Sequence, residues 1–257
     1  MRNLIGISLF FFGSTLFSQT NWPFSLNNNA ALEQAFLGSV SNPTNFGKER
    51  LSAGLIYLNR TVGSSIKAGG FGLNYRKNHS NIGLQAWQSG TENLNRQQYQ
   101  LNLGQELSDK FAIGITAGLQ RLNQSQNYGS LNQLTGAAFA SIKPVENFSA
   151  SAYWLGFAQS RTESNYQEGG LALNYIASKA ASVSVLMKTT QQWDPVLGLS
   201  LSYTFRESLS TQITVTDSDE PVLLSLMLGR GSWAPFIQYR QHSKLGAGFS
   251  FGVQWSK

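Results

Sequence analysis

The stretch Leu245-Gly-Ala-Gly-Phe-Ser-Phe-Gly-Val-Gln-Trp255 alternates without a break between two kinds of residue. One face is apolar: Leu245, Ala247, Phe249, Phe251, Val253 and Trp255. The other is small or polar: Gly246, Gly248, Ser250, Gly252 and Gln254. A period of two residues predicts a β-strand, and a polar second face is typical of a strand between lipid and a lumen. We interpret this stretch as the closing strand of a membrane barrel, with Phe249, Phe251 and Trp255 on its lipid side.

The composition agrees with a chain that divides its residues between lipid and a lumen. Only 12% of the 257 residues are charged and 25 are glycine, whereas about a quarter of the residues are charged in an ordinary soluble domain. The mean hydropathy is nevertheless −0.19, which excludes a bundle of membrane helices. Alternating apolar and neutral polar positions account for both values.

Residues 1–18 have the features of a cleaved signal peptide. Arg2 provides a positive start, Leu4 to Phe17 form a short apolar core, and Ser18 is a small residue before the expected cleavage. The alternative is a transmembrane anchor, which the shortness of the apolar core disfavours. The chain has no cysteine, so neither a lipoprotein anchor nor a disulfide framework is expected. We therefore expect export and an outer-membrane location.

Residues 19–48 do not alternate. The asparagines at positions 27–29 could cap a short helix over residues 30–38, and the run at 41–47 is rich in turn-forming residues. We expect a short N-terminal segment that lies either in the periplasm or in the lumen.

From residue 49 to 257 the pattern repeats strand, turn, strand. Fourteen strands are predicted: 51–59, 66–75, 81–87, 97–107, 111–120, 131–142, 148–157, 169–176, 181–188, 195–205, 208–216, 222–228, 233–240 and 245–255. Short turns alternate with longer polar connections, as expected when both ends of a barrel lie in the periplasm. The predicted fold class is all-β: a transmembrane antiparallel β-barrel of the outer membrane with about fourteen strands.

Aromatic residues near the predicted strand ends suggest the two interfacial girdles of such a barrel. They are Tyr57, Tyr75, Trp87, Trp154, Tyr203, Trp233, Tyr239 and Trp255. The alternative is that these are core aromatics of a β-sandwich.

No pattern of catalytic or metal-binding residues stands out. His79 and His242 lie in predicted turns without a nucleophile or acid in a recognisable arrangement, and we expect both to be solvated. Asp217, Asp219 and Glu220 lack the turn glycine and distal glutamate of a calcium loop, so a solvated turn is expected. The net charge of +6 is scattered and forms no nucleic-acid stripe. We predict no enzyme, no cofactor, no metal and no nucleic-acid partner.

Short motifs resemble the PorP/SprF family, outer-membrane proteins of the type IX secretion system of Bacteroidota. The resemblance lies in residues 42–47 (Asn-Pro-Thr-Asn-Phe-Gly), in Leu51-Ser52, Tyr57 and Thr61-Val62-Gly63, and in residues 107–118. It implies an accessory or scaffold role in protein secretion, surface display or gliding motility, with Asn42, Pro43 and Gly47 as a family motif and docking surface. The implied partners are outer-membrane lipid and other secretion-system or periplasmic proteins.

A second resemblance is to the PorV and FadL-like fourteen-stranded barrels, which also carry an Asn-Pro-Ala segment near the N-terminus. It implies a channel for small or hydrophobic solutes with an N-terminal hatch, or a shuttle. A third hypothesis, an enzyme of the membrane surface, would depend on His79 or His242.

Overall fold

The computed structural model describes most of the chain from residue 42 onward. The described residues are 42–44, 50–59, 67–91, 93–124, 129–159, 166–190, 193–205, 208–218, 221–229, 232–244 and 246–257. The expected signal peptide, the expected helix at 30–38 and Gly47 lie outside them. Within these ranges no helix is both long and apolar enough to cross a bilayer.

The described chain forms fourteen β-strands, the predicted number. They are β1 (Leu51–Asn59), β2 (Lys67–Lys77), β3 (Ser80–Gly90), β4 (Leu94–Ser108), β5 (Phe111–Gln124), β6 (Gly129–Val145), β7 (Phe148–Gln159), β8 (Tyr166–Ile176), β9 (Ala181–Thr190), β10 (Trp193–Phe205), β11 (Leu209–Thr216), β12 (Val222–Leu228), β13 (Trp233–His242) and β14 (Gly246–Ser256). Every predicted strand is present. The largest differences in length are in β3 to β6, which extend beyond the predicted ends.

The strands form one closed antiparallel barrel. Each strand pairs with its neighbours in sequence, and β14 pairs with β1. In that seam Ala53 is opposite Trp255 and Leu55 is opposite Val253. The Leu51 amide also donates a hydrogen bond of 2.9 Å to the Lys257 carbonyl. Closure leaves no unpaired strand edge, which a lipid environment requires.

The two ends of the barrel differ in their connections. We call the end at which β1 begins and β14 ends the terminal rim, and the opposite end the outer rim. The described turns at the terminal rim are short, as at residues 78–79, 109–110 and 146–147. By the general rule for bacterial barrels, this rim faces the periplasm.

The two faces of each strand carry different chemistry. Outward side chains are large, apolar and exposed; Leu55 is 62% exposed and Phe251 is 57% exposed. Inward side chains on the same strands are small or polar and buried, as at Ser52 and Ser250. The outward band is the surface that meets lipid, and the inward face lines the lumen.

One of the eight predicted girdle aromatics is wrongly placed. Trp154 and Trp233 are more than half exposed on the outer surface, as a girdle residue should be. Trp87, however, is 9% exposed, because it lies on the same face of β3 as the buried residues Asn81 and Ser89. This tryptophan belongs to the lumen.

Candidate functional site

Most of the luminal wall consists of uncharged polar side chains that bind one another between strands. Thr116 donates to Asn102 across β4 and β5 at 2.6 Å. Across β8 and β9, Ser184 donates to Asn174 at 2.9 Å. Such ladders hold each side chain in place and give the wall hydrogen-bonding capacity without charge.

Some buried luminal atoms have no hydrogen-bond partner within the described part of the chain. Examples are Asn74 Oδ1, Asn81 Oδ1, Gln100 Nε2 and Thr135 Oγ1. A buried polar atom is costly unless it is hydrogen-bonded to protein or water. These atoms therefore mark positions of the luminal wall at which the described protein groups leave the hydrogen bonding incomplete.

The polar wall is interrupted by an apolar cluster on β1, β2 and β3. Buried Ile56, Leu58, Ala68 and Trp87 form it, and Phe236 of β13 packs against them. We call this group the Trp87 patch. Glycines next to this patch leave space for the rings of Phe236 and Trp87. A Cβ atom on Gly252 would lie 2.5 Å from Phe236 Cζ, and one on Gly70 would collide with the Trp87 ring. Gly70 is thus a site of close approach between the backbone of β2 and the Trp87 ring.

A second apolar cluster covers the luminal face of β6 to β9. It consists of Ala137, Phe139, Tyr153, Leu155 and Ala172, with Leu186 packed against it. We call it the Tyr153 patch. The rings of Phe139 and Tyr153 stack at a centroid distance of 5.9 Å and an interplanar angle of 26°.

The two patches lie on opposite walls. In a closed ring of fourteen strands β8 is the strand farthest from β1, and β7 is the strand farthest from β14. The Tyr153 patch on β6 to β9 therefore lies across the lumen from the Trp87 patch on β1 to β3 and β13. The lumen is therefore apolar on two opposed walls and polar on the walls between them. The sequence carried a signal for this: Ile56, Trp87 and Tyr153 are large residues at positions where the alternation calls for small or polar ones.

A buried ion pair lies beside the Tyr153 patch, toward the outer rim. Lys188 Nζ is 2.9 Å from Glu168 Oε2, and the side chain of Glu168 is completely buried. The Tyr153 hydroxyl donates to the other carboxylate oxygen at 2.6 Å. Both carboxylate oxygens are thus bound, which a buried charge requires.

At the terminal rim a second charged group joins β2, β4 and the turn between β2 and β3. Arg76 Nη2 is 3.3 Å from both carboxylate oxygens of Glu106, and His79 Nδ1 is 3.2 Å from Glu106 Oε2. The prediction that His79 is an exposed turn residue agrees with the structure, although the histidine has a carboxylate partner.

The expected turn position of His242 is wrong. His242 is the last residue of β13 and is only 5% exposed. It faces the lumen because it is two residues from Arg240, which is also buried on that face. Its Nδ1 accepts a hydrogen bond from the Lys244 amide at 3.1 Å.

Asp217 is exposed in the bend after β11, as expected, and it also makes a structural contact. It accepts a hydrogen bond of 2.7 Å from the Leu197 amide, which ties the connection after β11 to β10. Asp219 and Glu220 lie outside the described residues. Among the residues that are described, no group of three His, Cys, Asp or Glu could hold a metal ion.

The motif residues Asn42 and Pro43 lie inside the barrel. Asn42, Pro43 and Thr44 are all buried. Asn42 Oδ1 accepts hydrogen bonds from the Thr44 amide at 3.1 Å and the Thr44 hydroxyl at 2.7 Å, a local turn that fixes the tripeptide. A Cβ atom on luminal Gly114 of β5 would lie 2.6 Å from Pro43 Cγ. Gly114 thus forms a notch that receives the proline.

This burial matters for the docking role expected of Asn42 and Pro43. A buried tripeptide presents no surface to a periplasmic partner while it occupies the lumen. The closing-strand residues are on the opposite side of the wall: Phe249 and Phe251 are exposed on the outer face, and Trp255 is partly exposed there.

Comparison with known proteins identifies the fold. No protein-family profile and no curated protein sequence matches the chain. Among solved structures, the CymD monoaromatic hydrocarbon channel matches with a TM-score of 0.61 at 11% identity, over 90% of this chain and 94% of CymD. The fold is that of an outer-membrane barrel. The Pseudomonas putida toluene transporter TodX gives 0.59 at 10% identity, over 92% of this chain and 100% of TodX.

The likeness extends more weakly to a porin. The KdgM porin matches with a TM-score of 0.50 at 10% identity, over 80% of this chain and 99% of KdgM. At these identities the likeness concerns the fold alone. It is compatible with the FadL-like resemblance, whereas no matching family or sequence supports membership of the PorP/SprF family.

Proposed function

We propose that this protein is an outer-membrane channel for small apolar solutes, and that its N-terminal segment acts as a plug. The observation that carries the proposal is the pair of apolar patches on opposed luminal walls. Sugars and ions gain nothing from such surfaces, whereas an apolar solute is stabilised by each contact that removes it from water. The channels of similar fold, CymD and TodX, are named for monoaromatic hydrocarbons and toluene, which supports this solute class.

The plug is supported by the position of residues 42–44. They occupy the lumen against Gly114, two strand positions from luminal Thr116, which belongs to the polar ladder. A segment in this position occupies part of the cross-section of the lumen. The luminal position of residues 42–44 supports the luminal alternative for the N-terminal segment over the periplasmic one.

The plug is tested by conductance in planar bilayers. We expect the mature chain to conduct poorly and a chain without residues 20–48 to conduct well. Gly114→Val should also raise conductance, because its side chain would occupy the position of Pro43. Gly136→Val is the matched control, since a Cβ atom there meets nothing closer than 3.9 Å. Equal conductance of all four proteins would contradict the plug.

The solute class is tested by uptake of radiolabelled toluene into bacterial cells that produce the protein. We expect faster uptake than in cells without it, and a loss of this gain for the double variant Trp87→Ser, Phe139→Ser. Trp154→Ser, which changes a lipid-facing tryptophan, should keep the gain. Equal toluene uptake by cells with the native protein and cells with the luminal double variant would count against the apolar path.

The secretion-accessory role stays a prediction. The neighbours compared above, CymD, TodX and KdgM, are named as channels, a transporter or a porin and not for secretion. Deletion of the gene that leaves the secretion of every cargo unchanged would count against that role.

A further inference from the structure

Three hydrogen-bond donors meet on the lipid side of the terminal rim, next to the seam between β1 and β14. Arg50 precedes β1, and its Nη2 donates to the Tyr75 hydroxyl at 3.0 Å. The guanidinium also lies 5.6 Å from the centre of the Tyr75 ring. Lys77 follows two residues along β2 and therefore lies on the same outward face. We call Arg50, Tyr75 and Lys77 the rim triad.

The rim triad lies at the depth where lipid headgroups are expected. Tyr75 is opposite Leu51, the first residue of β1, so its ring is at the membrane boundary of that strand. Trp255 lies across β1, opposite Ala53, and pairs in register with Trp233. Aromatic rings at strand ends mark the interface between acyl chains and headgroups.

The donors of the triad remain available after their internal contact is made. Tyr75 uses its oxygen as the acceptor for Arg50, which leaves its own O–H free to donate. Arg50 is exposed, and its guanidinium is charged whatever its surroundings; the hydrogen bond to Tyr75 raises the pKa of Arg50 further. Lys77 is exposed and adds an ammonium group.

The neighbouring carboxylate does not neutralise the triad. Glu106 of β4 is held by Arg76 and His79 and is therefore already compensated by two cationic partners when His79 is protonated. Two cations and a phenol on one lipid-facing surface match a phosphodiester, whose oxygens accept hydrogen bonds from arginine, lysine and tyrosine.

The geometry points to a specific binding site for the phosphate group of an anionic phospholipid at the rim triad. Arg50 and Lys77 bind the phosphodiester oxygens from two sides, and the Tyr75 O–H donates between them. The lipid lies along β1 and β2 at the terminal rim. This site is separate from the lumen and does not depend on the channel function.

The site is tested by native mass spectrometry of the purified protein, exchanged from detergent into mixed micelles that contain phosphatidylglycerol or phosphatidylcholine. We expect retention of at least one phosphatidylglycerol and much less phosphatidylcholine. The double variant Arg50→Gln, Lys77→Gln should lose most of that retention. Lys143→Gln, which removes an exposed lysine near the end of β6 at the same rim, is the control and should retain the lipid.

Two further measurements test the contribution of Tyr75 and distinguish a bound lipid from a free anion. Tyr75→Phe keeps the ring and removes the hydroxyl, so reduced retention is expected there even if the double variant does not fold. Excess inorganic phosphate should leave the bound lipid in place; displacement would show a site for free anions and overturn the assignment to a lipid. Equal retention by the native protein, the double variant and Tyr75→Phe would also overturn it.

Discussion

At the scale of single residues, the adjacent glycines Gly69 and Gly70 differ in how much space surrounds them, because they face opposite sides of β2. A Cβ atom on Gly70 would lie 2.9 Å from the Ala86 carbonyl oxygen and would collide with the Trp87 ring, whereas one on Gly69 would have a normal distance of 3.5 Å to the nearest atom. We expect Gly70→Ala to destabilise the barrel by about 1–3 kcal/mol through overpacking. Gly69→Ala should leave the free energy of unfolding nearly unchanged. Urea unfolding in detergent, followed by tryptophan fluorescence, measures both; equal effects would contradict the luminal position of Trp87.

The ion pair of Glu168 and Lys188 gives a second prediction at this scale. Lys188→Met removes the ammonium group that lies 2.9 Å from the fully buried Glu168 carboxylate, and removal of one partner of a buried pair costs up to about 3–5 kcal/mol. The double variant Lys188→Met, Glu168→Leu should be more stable than the single one, because no buried charge remains. Unfolding free energies of both variants test this, and a double variant less stable than Lys188→Met would refute it.

The hydrogen bond from the Tyr153 hydroxyl to Glu168 makes a separate contribution to the free energy of unfolding. Tyr153→Phe removes the 2.6 Å hydrogen bond to Glu168 but keeps the ring that stacks on Phe139. A hydrogen bond to a charged group contributes about 1.5–3 kcal/mol. We expect a loss of that size in the native protein and almost none in Glu168→Leu, where the acceptor is absent. An equal loss in both backgrounds would show that the ring, and not the bond, is responsible.

At the scale of one element, β14 tests how the membrane acts along a strand. Phe251 is the middle residue of this strand, and Trp255 is next to its last residue. A lipid-facing arginine costs about 2–4 kcal/mol at the bilayer midplane and about 0–1 kcal/mol near the interface. Phe251→Arg should therefore destabilise the folded barrel more than Trp255→Arg, as measured by reversible folding into lipid vesicles. Similar costs at the two positions would contradict the proposed depth of the strand.

At the scale of the whole molecule, closure of the barrel brings the start of β1 next to the end of β14. The Leu51 amide and the Lys257 carbonyl are 2.9 Å apart, which is the spacing of a hairpin pair. A permuted chain of residues 50–257, joined end to end by a short turn and opened at Lys179, should fold, because Lys179 lies in an exposed turn and no strand is cut. Heat-dependent mobility on gels after refolding in detergent tests this. A permutant that never acquires the compact form would show that residues 42–49 are needed for closure.

The sequence by itself determined the strands, their number and, where the alternation is clean, their lipid-facing sides. This was possible because each of those properties is local: a side chain's face follows from its place in an alternation, as in β10 and β14, and a turn follows from the few residues that form it. The seam between β1 and β14 was also predictable, since a barrel in lipid cannot leave an edge open.

Only the tertiary structure decided what fills the lumen. Trp87, Tyr153 and His242 lie on inward faces, and their surroundings come from strands that are far apart in the chain. The place of Pro43 depends on Gly114 of β5, about seventy residues later. No local pattern can pair such residues, because the register and closure of all fourteen strands set which side chains meet across the lumen.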